Sequence, residues 1–116
     1  MTVKQCLDFF KKTKAFSRDT FDDSALLRFL NEVEGMVQTD ILHLFHDGIT
    51  QYTDAESTDE LLVVAPYDKL YFSYLAYRID LLNNETGKAS NSKAAFDQDW
   101  EDFLGYYTRT YYNTWG

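Results

Sequence analysis

The sequence predicts a mainly α-helical domain of four helices arranged as helical hairpins, with a long loop between helices two and three. Apolar residues recur at helical spacing in four stretches of the 116 residues. Between them, residues 49–65 lose this period and contain a short apolar run typical of a β strand. One proline, five glycines and 45% hydrophobic residues indicate a single folded domain over residues 1–116.

The first two helices are predicted to be amphipathic. Residues 3–16 place apolar side chains on one face and lysines elsewhere, which indicates a short first helix. Asp22 and Asp23 suit the start of the second helix, because carboxylates accept the free amide protons there. Asp47 and Gly48 are a natural end for it. Its apolar face is a row spaced by three or four residues: Leu26, Leu30, Val33, Val37, Ile41 and Leu44.

The loop at 49–65 is expected to carry one or two short β strands. Thr50, Tyr52 and Thr53 suit extended structure, and residues 54–60 form a polar turn. An uninterrupted apolar run follows, too short for a helix: Leu61, Leu62, Val63 and Val64. We expect this run to be buried on both faces, inside the domain or against another subunit, because an exposed apolar edge invites pairing.

Helices three and four are predicted to form an antiparallel hairpin. Pro66 suits the first position of helix three, which should run to about residue 83. Residues 83–91 are interpreted as a polar connector, and Ser92 as the cap of helix four. Helix three carries two neighbouring apolar rows, namely Tyr67, Leu70, Tyr74, Tyr77 and Leu81, and Tyr71, Leu75, Ile79 and Leu82. A helix that is apolar on two faces indicates packing between its own core and a partner.

Candidate partner or oligomer interface residues lie in two places. The first is the join of loop and helix three, and the second is the aromatic stretch 106–115, which has five aromatics in ten residues. That stretch either packs back on the core or anchors another protein. The candidate residues are Leu61, Leu62, Val63, Val64, Tyr67, Tyr71, Tyr111 and Trp115.

Charge and cysteine content narrow the class of protein. The net charge of −8 divides into +4 over residues 1–18 and −12 over the rest. An acidic body repels phosphate, so tight sequence-specific DNA binding, as by a repressor, is not expected unless the basic first helix binds alone. The basic first helix is either a solvated face or a docking surface for an acidic patch of a neighbouring copy. The single cysteine, Cys6, excludes an intrachain disulfide, which suits the cytosol. We expect neither a signal peptide nor a membrane span of about 20 residues, so a soluble protein is predicted.

No enzymatic site is predicted. His43 and His46 lie near Asp40 and Asp47 at helical spacing, but one helix end alone is a poor metal site, so solvent-facing or interfacial histidines are expected. Cys6 has no neighbouring base and is expected to be simply buried. The sequence contains neither a glycine-rich phosphate loop nor a nucleophile elbow. We therefore expect no catalytic residue, metal or cofactor.

Four stretches carry a family resemblance. Residues 29–35 read Phe-Leu-Asn-Glu-Val-Glu-Gly, close to a Trp-Leu-Asn-Glu-Leu-Asp-Gly pattern, and residues 59–71 read Asp-Glu-Leu-Leu-Val-Val-Ala-Pro-Tyr-Asp-Lys-Leu-Tyr. Asn91-Ser92 with Ala94-Ala95-Phe96, and Tyr107-Thr108-Arg109-Thr110, complete the match. Over residues 21–112 the chain resembles the small head-tail connector, or head completion, proteins of tailed bacteriophages, especially phages and prophages of Gram-positive bacteria. Phe29 replaces their usual tryptophan, and Gly87 and Ala89 stand where tyrosines are frequent.

The resemblance implies a structural virion protein and not an enzyme. Its subunits form a ring, typically dodecameric, between the portal protein and the tail or a second adaptor, and the loop between helices two and three reaches neighbouring rings. DNA only passes through the channel, no membrane is involved, and the ring belongs to the virion neck after assembly in the host cytoplasm. The residues alone leave open another class: a small helical protein-interaction adaptor or regulator unrelated to virions.

Overall fold

The computed structural model of the chain describes residues 1–13, 22–41 and 50–112, and the side chains up to residue 109. Its described part contains four α-helices: α1 (Val3–Thr13), α2 (Asp23–Met36), α3 (Lys69–Leu82) and α4 (Thr86–Tyr112). A π-helical turn, Val37–Ile41, continues α2. The prediction of a mainly α-helical fold is therefore confirmed.

The start of α2 follows the sequence prediction. The Asp22 backbone is extended, and its carboxylate accepts a hydrogen bond of 2.8 Å from the Ala25 amide. One amide that has no helical partner is thereby satisfied. The described members of the predicted apolar row are all buried: Leu26, Leu30, Val33, Val37 and Ile41. Leu44, Asp47 and Gly48, and with them the predicted helix end, lie outside the described residues.

Helix α3 begins three residues later than predicted, at Lys69 instead of Pro66. Residues 65–68 form turns, and the amide of Tyr67 donates to the Val64 carbonyl at 2.9 Å. The next bonds, from Leu70 to Tyr67 and from Tyr71 to Asp68, also join residues three apart. Such tight turns precede the α-helix, so the backbone preference of proline is used for a turn and not for the first helical position.

The prediction of a long connector with Ser92 as the cap of α4 is wrong. Only residues 83–85 separate the helices, because α4 already begins at Thr86. Asn84 takes a left-handed conformation with φ of 59°, which asparagine tolerates, and the Glu85 amide donates to the Asp80 carbonyl at 2.8 Å. Ser92 lies inside α4 and its hydroxyl donates to Asp80 Oδ2 at 2.9 Å. The polar residues that suggested a connector thus belong to a longer helix, where they face solvent or form hydrogen bonds to α3.

Helices α3 and α4 form the predicted antiparallel hairpin. Lys69 pairs with Asp102, the Ser73 hydroxyl donates to Asp99, and the ring of Tyr74 contacts that of Phe96. Residue numbers thus fall along α4 as they rise along α3, which defines an antiparallel pair. α3 also contacts α1 and α2 and therefore lies at the centre of the domain. The core contains Val3, Cys6, Leu7 and Phe10 of α1, Leu70, Tyr71, Leu75 and Ile79 of α3, and Phe96 and Phe103 of α4.

The short strands predicted in the loop are not shown. Residues 50–68 contain turns, bends and irregular backbone, and the β-type contact described for them is an isolated antiparallel bridge between Thr2 and Glu60. In it the Leu61 amide donates to the Met1 carbonyl and the Val3 amide to the Asp59 carbonyl, both at 3.0 Å. No second strand flanks this segment within the described residues, because side chains of α2 and α3 bind its other edge.

Candidate functional site

Two amide side chains of α2 and its π-helical turn bind the first part of the loop. Asn31 accepts a hydrogen bond from the Tyr52 amide and donates one to the Tyr52 carbonyl, each at 2.8 Å. Gln38 does the same for Thr50, accepting from its amide at 2.6 Å and donating to its carbonyl at 3.0 Å. Residues two apart expose their backbone groups on the same strand edge, so these side chains replace a neighbouring strand.

A buried carboxylate between them binds the second part of the loop. Glu34 is fully buried, and its Oε2 accepts hydrogen bonds from the Tyr52 hydroxyl at 2.7 Å and the Leu62 amide at 3.1 Å. Its Oε1 accepts from the Tyr71 hydroxyl at 2.6 Å. The described residues provide three donors to this carboxylate and no cation, so it is hydrogen-bonded but not charge-paired.

Tyr71 connects this carboxylate to the apolar run. Its hydroxyl donates to Glu34 and accepts a 2.9 Å hydrogen bond from the Val63 amide. Burial, with Glu34 nearby, raises the pKa of both Tyr71 and Tyr52 above the usual value, so both hydroxyls keep their protons and act as donors. We call Asn31, Glu34, Gln38, Tyr52 and Tyr71 the loop clamp.

The apolar run alternates between the core and the surface. Leu61 and Val63 are 6% and 0% exposed, whereas Leu62 and Val64 are 39% and 50% exposed. Of the candidate interface residues, Leu61, Val63 and the buried Tyr71 therefore belong to the core of the chain itself. The sequence pattern missed this division because four consecutive apolar residues have no polar neighbour to mark an outer face.

The exposed half of the run continues into an aromatic surface. The Tyr67 amide donates to Val64, and the half-buried ring of Tyr67 stacks on that of Tyr106 with centroids 4.6 Å apart. We call Leu62, Val64 and Tyr67 the apolar ridge. Beyond Tyr106, α4 continues to Tyr112, and the side chain of Tyr111 and all of Trp115 lie outside the described residues.

Two of the three lysines of α1, Lys4 and Lys11, form ion pairs within the chain, while Lys14 and Arg18 lie outside the described residues. Lys4 contacts Glu56 and Asp8, and Lys11 contacts Asp23 at 3.0 Å and Asp8 at 3.7 Å. The hydrogen bond to Glu56 raises the pKa of Lys4. Exposed ion pairs of this kind are weak, so both readings of the helix, a solvated face or a docking surface for a neighbouring copy, stay predictions.

Groups able to do chemistry are sparse where the structure is described. No cluster of three or more metal-ligating side chains occurs there, while His43, His46 and Asp47 lie outside the described residues and Asp40 is exposed. Burial raises the pKa of the Cys6 thiol to about 12, so it is not a ready nucleophile. A surface pocket of about 490 Å³ is lined by Ser24, Leu27, Arg28, Asn31, Glu32 and Gln51. Within the described ranges, no helix is long and apolar enough to span a bilayer.

Comparisons with known proteins leave the family open. Protein-family models, curated proteins and solved structures were compared with this chain, and none of them matches. The resemblance of residues 29–35 and 59–71 to head-tail connector proteins therefore stays a prediction. Both stretches contain residues of the loop clamp, and the second also contains the apolar ridge.

Proposed function

We propose that this chain is a structural subunit of a virion neck, in which copies form a ring between portal and tail, complete the head and dock the tail. The observation that carries the proposal is the apolar ridge. Leu62 and Val64 are exposed aliphatic side chains beside Tyr67, on a loop that the clamp binds in place, in a chain of net charge −8. Contiguous exposed apolar side chains on a charged protein mark a contact surface.

A ring subunit needs two different lateral surfaces, because head-to-tail contacts close a ring only when each copy presents unlike faces to its two neighbours. The chain has exposed apolar side chains away from the ridge as well, with Phe9 on α1 at 52% exposure and Leu82 at the end of α3 at 55%. They lie on different helices, and each is a candidate for the second face of the ring subunit. The proposed ring is dodecameric, as the family resemblance implies.

The remaining parts of the proposal follow from the same assembly. The ring contacts the portal protein on one side and the tail or a second adaptor on the other, and it assembles in the host cytoplasm. Its acidic subunits repel phosphate, which suits a channel that DNA passes through without binding. The protein acts without catalysis or a cofactor. The short β strands expected in the loop form on assembly, when a strand of a neighbour pairs with backbone groups of the loop that the clamp leaves free.

The test removes the apolar ridge without changing charge. Leu62→Asn with Val64→Asn replaces two exposed aliphatic side chains, and asparagine is preferred to aspartate because Glu34 Oε2 lies 3.1 Å from the Leu62 amide. We expect a folded protein by circular dichroism that fails to complement a phage lacking its own copy, leaving filled heads without tails. The matched control, Thr53→Asn with Thr58→Asn, changes two exposed polar positions of the same loop and should complement normally.

Normal virion yield from the ridge variant would overturn the proposal. The alternative, a helical adaptor unrelated to virions, uses the same ridge and predicts a different result. In that case the ridge variant still loses a protein partner in binding assays, but the unaltered protein neither binds portal protein nor restores infectivity.

A further inference from the structure

We propose that residues 50–64 open as a separate unit while the four helices stay folded. The hydrogen bonds that the Glu34 carboxylate accepts set how often they open. This inference concerns the isolated chain and does not depend on the virion role. It rests on the kind of hydrogen bonds that bind the loop, on the uncompensated charge at their centre and on the alternation of the apolar run.

The bonds that break on opening are separate from those that hold the helices. The amides of Thr50, Tyr52, Leu62 and Val63 all donate to side chains of the clamp. Three further hydrogen bonds join residues 1–4 to the loop. Two of their donors are the amides of Val3 and Lys4, in the first turn of α1. Amides in a first turn have no partner within their helix. Opening therefore costs no backbone bond inside a helix.

The buried charge favours opening. Glu34 is fully buried with three neutral donors and, among the described residues, no cation. Hydrogen bonds from neutral groups only partly offset the free energy of taking a carboxylate out of water. When the loop leaves α2, the carboxylate meets water again, and that free energy is recovered. The closed state is consequently less stable, relative to the open one, than the burial of Leu61 and Val63 alone would make it.

Opening changes what the loop offers to another molecule. In the closed state only Leu62 and Val64 face outward, and Leu61 and Val63 are in the core. In the open state all four side chains and their backbone groups become accessible as one extended apolar segment. A partner that binds this segment stabilises the open form in proportion to its preference for that form.

Native-state hydrogen exchange of the full chain tests whether residues 50–64 open locally and whether the hydrogen bonds to Glu34 control this opening. The amides of Leu62 and Val63 should exchange about 100-fold or more faster than those of Leu75 and Ile79 in the centre of α3, as expected for local opening. Tyr71→Phe removes one donor to Glu34 and the acceptor for the Val63 amide. It should speed exchange at Leu62 and Val63 by about tenfold or more, since a hydrogen bond to a charged group is lost. The amides of α3, which exchange through global unfolding, should gain at most the same factor and stay well behind those of the loop.

Two further variants make the test specific. Tyr52→Phe removes the donor on the other side of Glu34 and should act in the same direction, which keeps the inference testable if Tyr71→Phe folds poorly. Tyr74→Phe is the matched control: its hydroxyl, also on α3, donates at 3.0 Å to Glu32, a glutamate of α2 that does not bind the loop. It should leave exchange at Leu62 and Val63 unchanged.

Three results would overturn the inference. The first is loop exchange as slow as that of α3 in the unaltered protein, which would mean that the loop opens only with global unfolding. The second is no acceleration of Leu62 and Val63 in either clamp variant, and the third is acceleration of these two amides in Tyr74→Phe by the same factor as in the clamp variants. None of these results bears on virion assembly, so the two proposals fail separately.

Discussion

Residues 61–64 alternate between the core and the surface, and two neighbouring substitutions test this alternation through their effect on stability. Val63→Asn and Leu62→Asn introduce the same side chain at adjacent positions. Val63 is fully buried and Leu62 is 39% exposed, so only the first variant places an amide in the core. If residues 61–64 were instead buried on both faces, the two variants would be equally damaging.

The magnitudes follow from burial. Losing a fully buried valine costs about 1.5–3 kcal/mol, and an amide left without partners in the core adds about 1–3 kcal/mol. Val63→Asn should therefore destabilise the protein by roughly 4 kcal/mol, a large part of the ~5–15 kcal/mol of a typical domain. Leu62→Asn keeps its amide group in water and should cost about 1 kcal/mol, because the leucine is only partly removed from solvent.

Urea unfolding followed by circular dichroism measures the difference between the two variants. We expect the midpoint of Leu62→Asn to lie close to that of the unaltered protein and the midpoint of Val63→Asn to lie far below both, with similar slopes. Equal midpoints, or the reverse order, would refute the inward orientation of Val63 and with it the geometry of the apolar ridge.

Three further predictions concern the clamp, the helix cap and pH. Asn31→Ala removes two hydrogen bonds to the Tyr52 backbone and should lower the unfolding free energy by about 2 kcal/mol in urea titrations. Asp22→Ala loses the cap on the Ala25 amide and should lower the free energy of unfolding by about 1 kcal/mol, with Asp22→Asn as the milder control. Burial, with Glu32 nearby, raises the pKa of Tyr74 to about 12, while an unfolded tyrosine titrates near 10, so the unfolded state loses its proton first. Stability should then decline as pH rises above about 10, less steeply in Tyr74→Phe; equal slopes would contradict that pKa.

Much of the helical framework could be predicted from apolar spacing and local signals. The Asp22 cap, the buried face of α2 and the α3–α4 hairpin depend on residues close in sequence or on a repeated period. The short connector could not be predicted in the same way. The polar first turns of α4 resemble a loop in composition, and what extends the helix is packing and the Ser92–Asp80 contact with α3.

The loop clamp could not be predicted because its contacts are distant in sequence. Asn31 meets Tyr52 across 21 positions, and Glu34 meets Tyr71 across 37. On a helix, Asn31, Glu34 and Gln38 recur at three and four residues and border the apolar row, and this was the available signal for a buried polar row. It is ambiguous, because solvated faces show the same spacing.

The apolar run at residues 61–64 was expected to be buried on both faces, and the structure divides it between the core and the surface. Apolar periodicity locates side chains that avoid water, but it does not distinguish the core of the chain from a partner. Glu34 and Tyr71 bind the amides of Leu62 and Val63, which turns Val63 inward and Leu62 outward. Of residues 61–64, Leu62 and Val64 are the side chains that stay exposed.

Negative-stain electron microscopy of the purified chain mixed with its portal protein is the most direct test of ring formation. We expect closed rings of defined, twelvefold symmetry seated on the portal, and their loss in the Leu62→Asn, Val64→Asn variant. A protein that stays monomeric at high concentration and leaves the portal bare would contradict it.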